Sequence, residues 1–341
     1  MKRYFFVLTL ACVVALASAA NTFGVQTARR GSAAGANASG AQATTASVLA
    51  SLPASDAVML VDVRRLLKDA LPRAYNNNAA ELARINAEID KFKASTGLDA
   101  RLLDRIAVGV SYKQTATGKT LVETVAVARG TFRAAALGAP DSRMREERYA
   151  GKTIRIFQMD TQVKLLGLLN LRVTDLAVAT IDANMVAVGK LERVRAAIDA
   201  SAGRGARVSP EVTALATRDA NAILGAGGNI PASLTQNLDI GSLSRSIASV
   251  RQFYSTLGTT ANGFNMLTAL RTEDAGAAKT LSSTIAGLKQ LAPFALGQMS
   301  AEKARPLRSL VENTKVGAEG NDVLITLELA QVDVAALIDA F

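Results

Sequence analysis

The chain has 341 residues, no histidine, a single cysteine (Cys12) and a net charge of +10 at neutral pH. Without imidazole, and with its one thiol in an apolar N-terminal stretch, it has no means of building a Ser-His-Asp triad, a Cys-His pair, a histidine zinc site or a histidine-ligated haem. No cofactor is expected, and no transition-metal site.

Lys2 and Arg3 precede an uncharged run from Tyr4 to Ala17, and Ala17-Ser18-Ala19 supplies the small residues of a cleavage site. This three-part pattern predicts a secretory signal peptide over residues 1–19 and an exported, periplasmic or extracellular product. The run is shorter than the roughly 18 residues a spanning helix needs. Thr9 stands three residues before Cys12, where a lipoprotein signal has an aliphatic residue, which argues against lipidation. Residues 20–51 consist almost entirely of small and polar residues, with Arg29-Arg30 as their only charges. That composition buries too little apolar surface to offset its ordering entropy and predicts a flexible linker. Two α+β halves are expected after it, over 52–210 and 211–341, with mainly antiparallel sheets.

In the first half, Val58 to Val63 reads as a buried strand after the Pro53 turn, and a helix follows. Asn78 with Glu81 three residues on marks a helix start, and Leu82, Ile85, Ile89 and Phe92 recur at helical spacing as far as Gly97. Ile106 to Tyr112 and Leu121 to Ala128 are strands flanking a polar turn, and Thr131 to Leu137 is a short helix. Thr153 to Met159 and Leu176 to Ile181 are further strands, the second turning through Asp182-Ala183-Asn184 into Met185 to Val188. Leu191, Val194 and Ile198 mark an amphipathic helix. In the second half, Phe264 to Leu270 is a strand, and Thr272 is placed to cap a helix that Pro293 would stop. A hairpin around Gly320-Asn321 and a helix from Val332 to Ala340 close the chain. Ala196-Ala197-Ile198-Asp199-Ala200 and Ala336-Leu337-Ile338-Asp339-Ala340 each close a helix after a hairpin, which suggests an internal duplication.

Most candidate motifs lack the partners their chemistry requires. Gly118-Lys119-Thr120 and Gly151-Lys152-Thr153 mimic the end of a phosphate loop, but Lys113 and Glu146 stand where its first glycine belongs. Gly225-Ala226-Gly227-Gly228 is better placed, as a strand-to-helix turn that could face an anion. Ser300-Ala301-Glu302-Lys303 has Ser-x-x-Lys spacing without the companion motifs, and Ser300 is read as a helix cap. Glu146-Glu147, the carboxylates a histidine-free hydrolase would need, sit in the charged run from Asp141 to Arg148, read as a solvated loop.

The least ordinary stretch is Val163 to Val173, an apolar segment between two strands where a short polar connection belongs. Its Leu165, Leu166, Leu168, Leu169 and Leu171 are either core or an apolar contact with lipid, ligand or partner. Residues 20–210 carry 27 Lys and Arg against 17 Asp and Glu, whereas 211–341 carry 10 against 12. The basic half suits an anionic envelope surface. Singly scattered arginines and the lack of tryptophan disfavour nucleic acid.

Leu52-Pro53-Ala54-Ser55-Asp56-Ala57 leading into a strand, Val127-Ala128-Arg129-Gly130 closing one, and Val186-Ala187-Val188-Gly189 running into Val194 to Asp199 together resemble a group of uncharacterised exported bacterial proteins. The resemblance implies no activity, cofactor or catalytic residue. The sequence therefore predicts an exported, non-enzymatic α+β protein of two related strand–helix halves, with a binding or envelope-organising role. A carrier of a lipid or acyl chain, with Val163 to Val173 lining its site, is the alternative, and a histidine-free hydrolase is third.

Overall fold

The computed structural model describes residues 35–76, 78–96, 99–116, 120–131, 144–165, 169–235, 242–298, 301–331 and 333. Its centre is one twelve-stranded antiparallel sheet, in the order β11-β12-β10-β9-β8-β1-β2-β3-β7-β6-β5-β4. The first seven strands in the chain are β1 (Ala57–Asp62), β2 (Leu103–Gln114), β3 (Thr120–Gly130), β4 (Met144–Tyr149), β5 (Lys152–Leu165), β6 (Leu169–Asp182) and β7 (Met185–Gly189). The remaining five are β8 (Leu224–Asn229), β9 (Val250–Thr259), β10 (Gly263–Thr272), β11 (Thr314–Glu319) and β12 (Asp322–Ala330). The fold is α+β, and both halves share this one sheet. They meet where β1 pairs with β8, Ala57 opposite Gly228. Outward from that seam one side runs β1-β2-β3-β7-β6 and the other β8-β9-β10-β12-β11. The segment Ala336 to Ala340, the partner in the sequence echo, lies outside the described residues, as do most of Thr131 to Leu137 and of the expected last helix.

Strand alternation sorts the core into two layers. Pairings carry one face from Val58 through Gly109, Val125, Gly189 and Ala177 to Ile156. This face is covered by the end of α1 (Gly35–Ala50), by α5 (Leu191–Ser201) and by α6 (Pro210–Ala216), whose Val48, Val194, Ile198 and Val212 are buried against it. The other face runs from Met59 through Ala226, Ser255 and Thr268 to Ile325. Over it lie α4 (Ala79–Thr96) and, after the short α7 (Ala232–Thr235) and α8 (Ser242–Ile247), α9 (Ala275–Leu296), with Ile89, Leu281 and Ile285 inserted. Between β1 and α4 the chain runs through α2 (Val63–Arg65), a π turn at Leu66–Ala70 and α3 (Leu71–Ala74). Each fully buried aliphatic side chain in these layers is worth about 1.5–3 kcal/mol relative to exposure.

Four expectations are corrected. Residues 35–50 of the expected linker form α1; although its body is alanine- and serine-rich, Val48, Leu49 and Leu52 are buried in the first layer and anchor it. Residues 144–149 of the charged run are not a loop but edge strand β4, whose Glu147 is gripped by Arg195 at 2.6 and 2.8 Å. Thr272 ends β10, and the cap of α9 is Asp274, whose Oδ1 accepts the Ala277 N–H at 2.8 Å. Pro293 does not stop α9, which continues to Leu296; that residue is buried and holds the last turn down. The Asn78 cap is present, its Oδ1 accepting the Glu81 N–H at 3.1 Å. Among the described residues no helix is long and apolar enough to cross a membrane.

Candidate functional site

Residues 163–165 and 169–173 of the apolar stretch are the far ends of two strands, and residues 166–168 lie outside the described residues. β5 and β6 pair from Ile154 opposite Ala179 outward to Leu165 opposite Leu169. Among the described residues, β4 pairs as far as Phe157 of β5, and β7 as far as Ala177 of β6. Beyond Gln158 and Asp175 the two strands pair, among the described residues, with each other alone, as a two-stranded ribbon with its register shifted between Gln158 and Thr161. Thr161 stands opposite Val173, Val163 opposite Leu171 and Leu165 opposite Leu169. By alternation these six belong to one face, and the pairs Gln162–Arg172 and Lys164–Asn170 belong to the other. Of the five predicted contact leucines, Leu165, Leu169 and Leu171 are thus brought to one face of the ribbon, whereas Leu166 and Leu168 lie outside the described residues.

A pocket of about 170 Å3 lies elsewhere, between the π turn with α3 and helix α4. Leu67 and Leu71 form one wall and Leu82, Ile85 and Ile89 the other, with Arg64, Lys68 and Arg101 around them. The helical periodicity of the sequence identified the second wall, but nothing marked Leu67 or Lys68. None of the described residues of Val163 to Val173 lines this pocket.

Of the phosphate-loop mimics, Gly151-Lys152-Thr153 is the turn into β5, and Gly118 and Lys119 lie outside the described residues. Gly225-Ala226-Gly227-Gly228 is not a turn at all but most of β8. A Cβ on Gly227 would lie 2.4 Å from Leu215 Cβ, and one on Gly228 2.4 Å from the Cα of Ala57. These glycines admit α6 and β1 at close range and present nothing to an anion. Ser300 lies outside the described residues.

One charged cluster is built around a buried carboxylate. Glu123 on β3 receives Lys113 at 2.7 Å and Lys190 at 3.4 Å, and Arg193 bridges to the Ala54 carbonyl at 2.8 Å and Ser55 Oγ at 3.0 Å. Burial pushes the Glu123 carboxyl up, but the hydrogen bond and charge of Lys113, with those of Lys190, hold it below the usual carboxylate range. Tyr112 is pushed up to about 12 by burial and by the nearby Asp56 carboxylate. With loop 53–55 tied down by Arg193, the cluster fastens loop to sheet. A depressed folded pKa means that Glu123 contributes stability above its unfolded pKa and loses it as pH falls through the folded value. Glu123→Gln should therefore flatten the loss of stability below about pH 4.3, the ordinary glutamate value. Denaturant melts from neutral to acid pH read that slope; identical slopes in the two proteins would refute the assignment. Among the described residues no group of three acidic side chains is arranged to hold a metal ion.

No family model matches the chain, and no curated protein does. Three similar solved structures are crystal forms I, III and IV of a protein designated TP0453. Form I has a TM-score of 0.42 and 10% identity, covering 86% of this chain and 96% of that one. Form III has 0.44 and 12%, covering 86% and 98%. Form IV has 0.41 and 12%, covering 85% and 95%.

Proposed function

We propose that the protein is an exported, non-enzymatic binding protein of the cell envelope, and that the β5–β6 ribbon is its contact element. The observation carrying this reading is that, among the described residues, no third strand lies beside the ribbon over residues 159–165 and 169–174. An isolated two-stranded ribbon is marginal in water, and an aliphatic face on one gains stability only when something covers it. The opposite face carries Lys164 and Arg172, and this half of the chain holds the whole basic excess. An anionic lipid surface satisfies both faces: acyl chains take the leucines, and headgroups neutralise the cations. The sequence supports export through its N-terminal signal pattern, and the alike strand orders on either side of the seam favour two related halves.

Flotation with phosphatidylglycerol vesicles tests the proposal. Leu165→Asp/Leu171→Asp should melt like the parent protein and lose at least about tenfold in vesicle binding, since each aspartate adds unfavourable burial and repels anionic headgroups. Added salt should weaken the parent's binding. If the variant unfolds and the parent protein never binds vesicles, the ribbon is ordinary core and the proposal fails.

A further inference from the structure

The pocket between the π turn and α4 is independent of the ribbon and unused by the reading above. A π turn inserts one extra residue into a helix and widens it, and such turns recur at binding sites. Here it lies at Leu66–Ala70, with the Leu71 N–H donating to the Leu66 carbonyl, and it carries Leu67 and Lys68 to the pocket. On the other side stands α4. Among its described side chains Ile89 is buried, while Leu82 and Ile85 remain half-buried beside the gap. The volume, about 170 Å3, is close to that of the roughly 150 Å3 cavity that accepts benzene. It admits the end of one hydrocarbon chain and not the body of a two-chain lipid.

Charge around the pocket selects the other end of the ligand. Arg64 is engaged by Asp104, and Arg101 by Asp90 at 2.7 Å and by the Asn86 carbonyl at 3.3 Å. Lys68, the third cation, is exposed and makes no ion pair among the described residues. We infer that this pocket binds a free monocarboxylic acyl chain, with its tail between Leu67, Leu71, Leu82 and Ile85 and its carboxylate at Lys68. The apolar burial is the driving term, and the ammonium fixes orientation and favours an anion over a neutral chain.

Titration calorimetry of the full chain with octanoate tests this. Octanoate should bind and raise the melting temperature, because it fills a gap in the folded state. Neutral octanol should bind about tenfold more weakly, and Lys68→Glu should weaken octanoate about tenfold with no effect on octanol. Leu82→Phe, which fills the pocket from the half-buried side, should abolish binding of both. Should that variant misfold, nuclear Overhauser contacts from octanoate to the Leu82 and Ile85 methyl groups of the parent protein take its place. The ribbon variant Leu165→Asp/Leu171→Asp should bind octanoate normally, so the two sites fail or stand separately. Absence of octanoate binding, equal binding to the Lys68→Glu variant, or absence of those Overhauser contacts would overturn the assignment.

Discussion

Gly228→Val is expected to prevent folding, and Gly228→Ala to cost about 3 kcal/mol or more. Overpacking a well-filled site ordinarily costs about 1–3 kcal/mol, because side chains shift to make room. Here the new Cβ would meet backbone, lying 2.4 Å from the Ala57 Cα and 2.5 Å from the Asp56 carbonyl oxygen. The only relief is to part β1 from β8, which are central strands of the sheet. Gly287→Ala is the matched control. Gly287 is an exposed residue of α9, and a Cβ added there would meet no atom within 4 Å, so alanine should stabilise by about 0.5–1 kcal/mol. Urea melts of the two alanine variants should move in opposite directions; a Gly228→Ala midpoint equal to the parent's would mean that the seam is looser than described.

The second large effect is expected at Asp62. Its Oδ2 accepts from Arg105 Nη2 at 2.9 Å, and its Oδ1 caps the following helical run through the Arg65 N–H at 3.0 Å. Both side chains of the pair are about nine-tenths buried. Asp62→Ala removes the cap and leaves the Arg105 charge enclosed without a partner, which should cost about 3–5 kcal/mol. Asp62→Asn keeps a cap acceptor and should recover about 1 kcal/mol of that loss. Asp62→Leu/Arg105→Met, which removes both charges, should be more stable than Asp62→Ala, because an uncompensated buried charge costs more than an absent pair. Thermal or denaturant melts order the variants. Equal stability of the double variant and Asp62→Ala would show that the pair is solvated.

How much of this was legible in the sequence follows from what each strand buries. β1, β3, β7 and β12 announce themselves because their buried positions are apolar apart from Asp62 and Glu123. β9 does not, since its buried positions include Ser255 and Thr256, and Ser255 shares a 2.8 Å hydrogen bond with Thr268 of β10 inside the sheet. The hydroxyls satisfy each other, so polar residues stand where alternation looks for apolar ones. β8 is hidden by a different cause: its glycines are set by the approach of Ala57 and Leu215 from elsewhere in the chain, information that no local window holds. α1 is masked by composition averaged over residues 20–51, whose anchors come only at the end, in Val48 and Leu49. At the candidate sites, the apolar run at 163–173 was visible as an anomaly, but its form as an unflanked ribbon depends on where β4 and β7 end. The pocket depends on a π turn, for which Leu66–Ala70 carries no recognisable signal.

The seam between β1 and β8 also governs the order in which the molecule assembles. Most other pairings join strands close in the chain, among them β2 with β3, β5 with β6, β9 with β10 and β11 with β12. Ala57 and Gly228, by contrast, are brought together across most of the first half. Contacts between residues so distant in sequence carry the largest loop-closure entropy and form late. Hairpin ribbons on each side can therefore mature before the sheet becomes continuous, and closure of the seam is the step that turns two partial sheets into one cooperative unit. Until then β1 and β8 each present a bare edge, and it is at this stage, not in the finished fold, that the chain is open to pairing with another copy of itself.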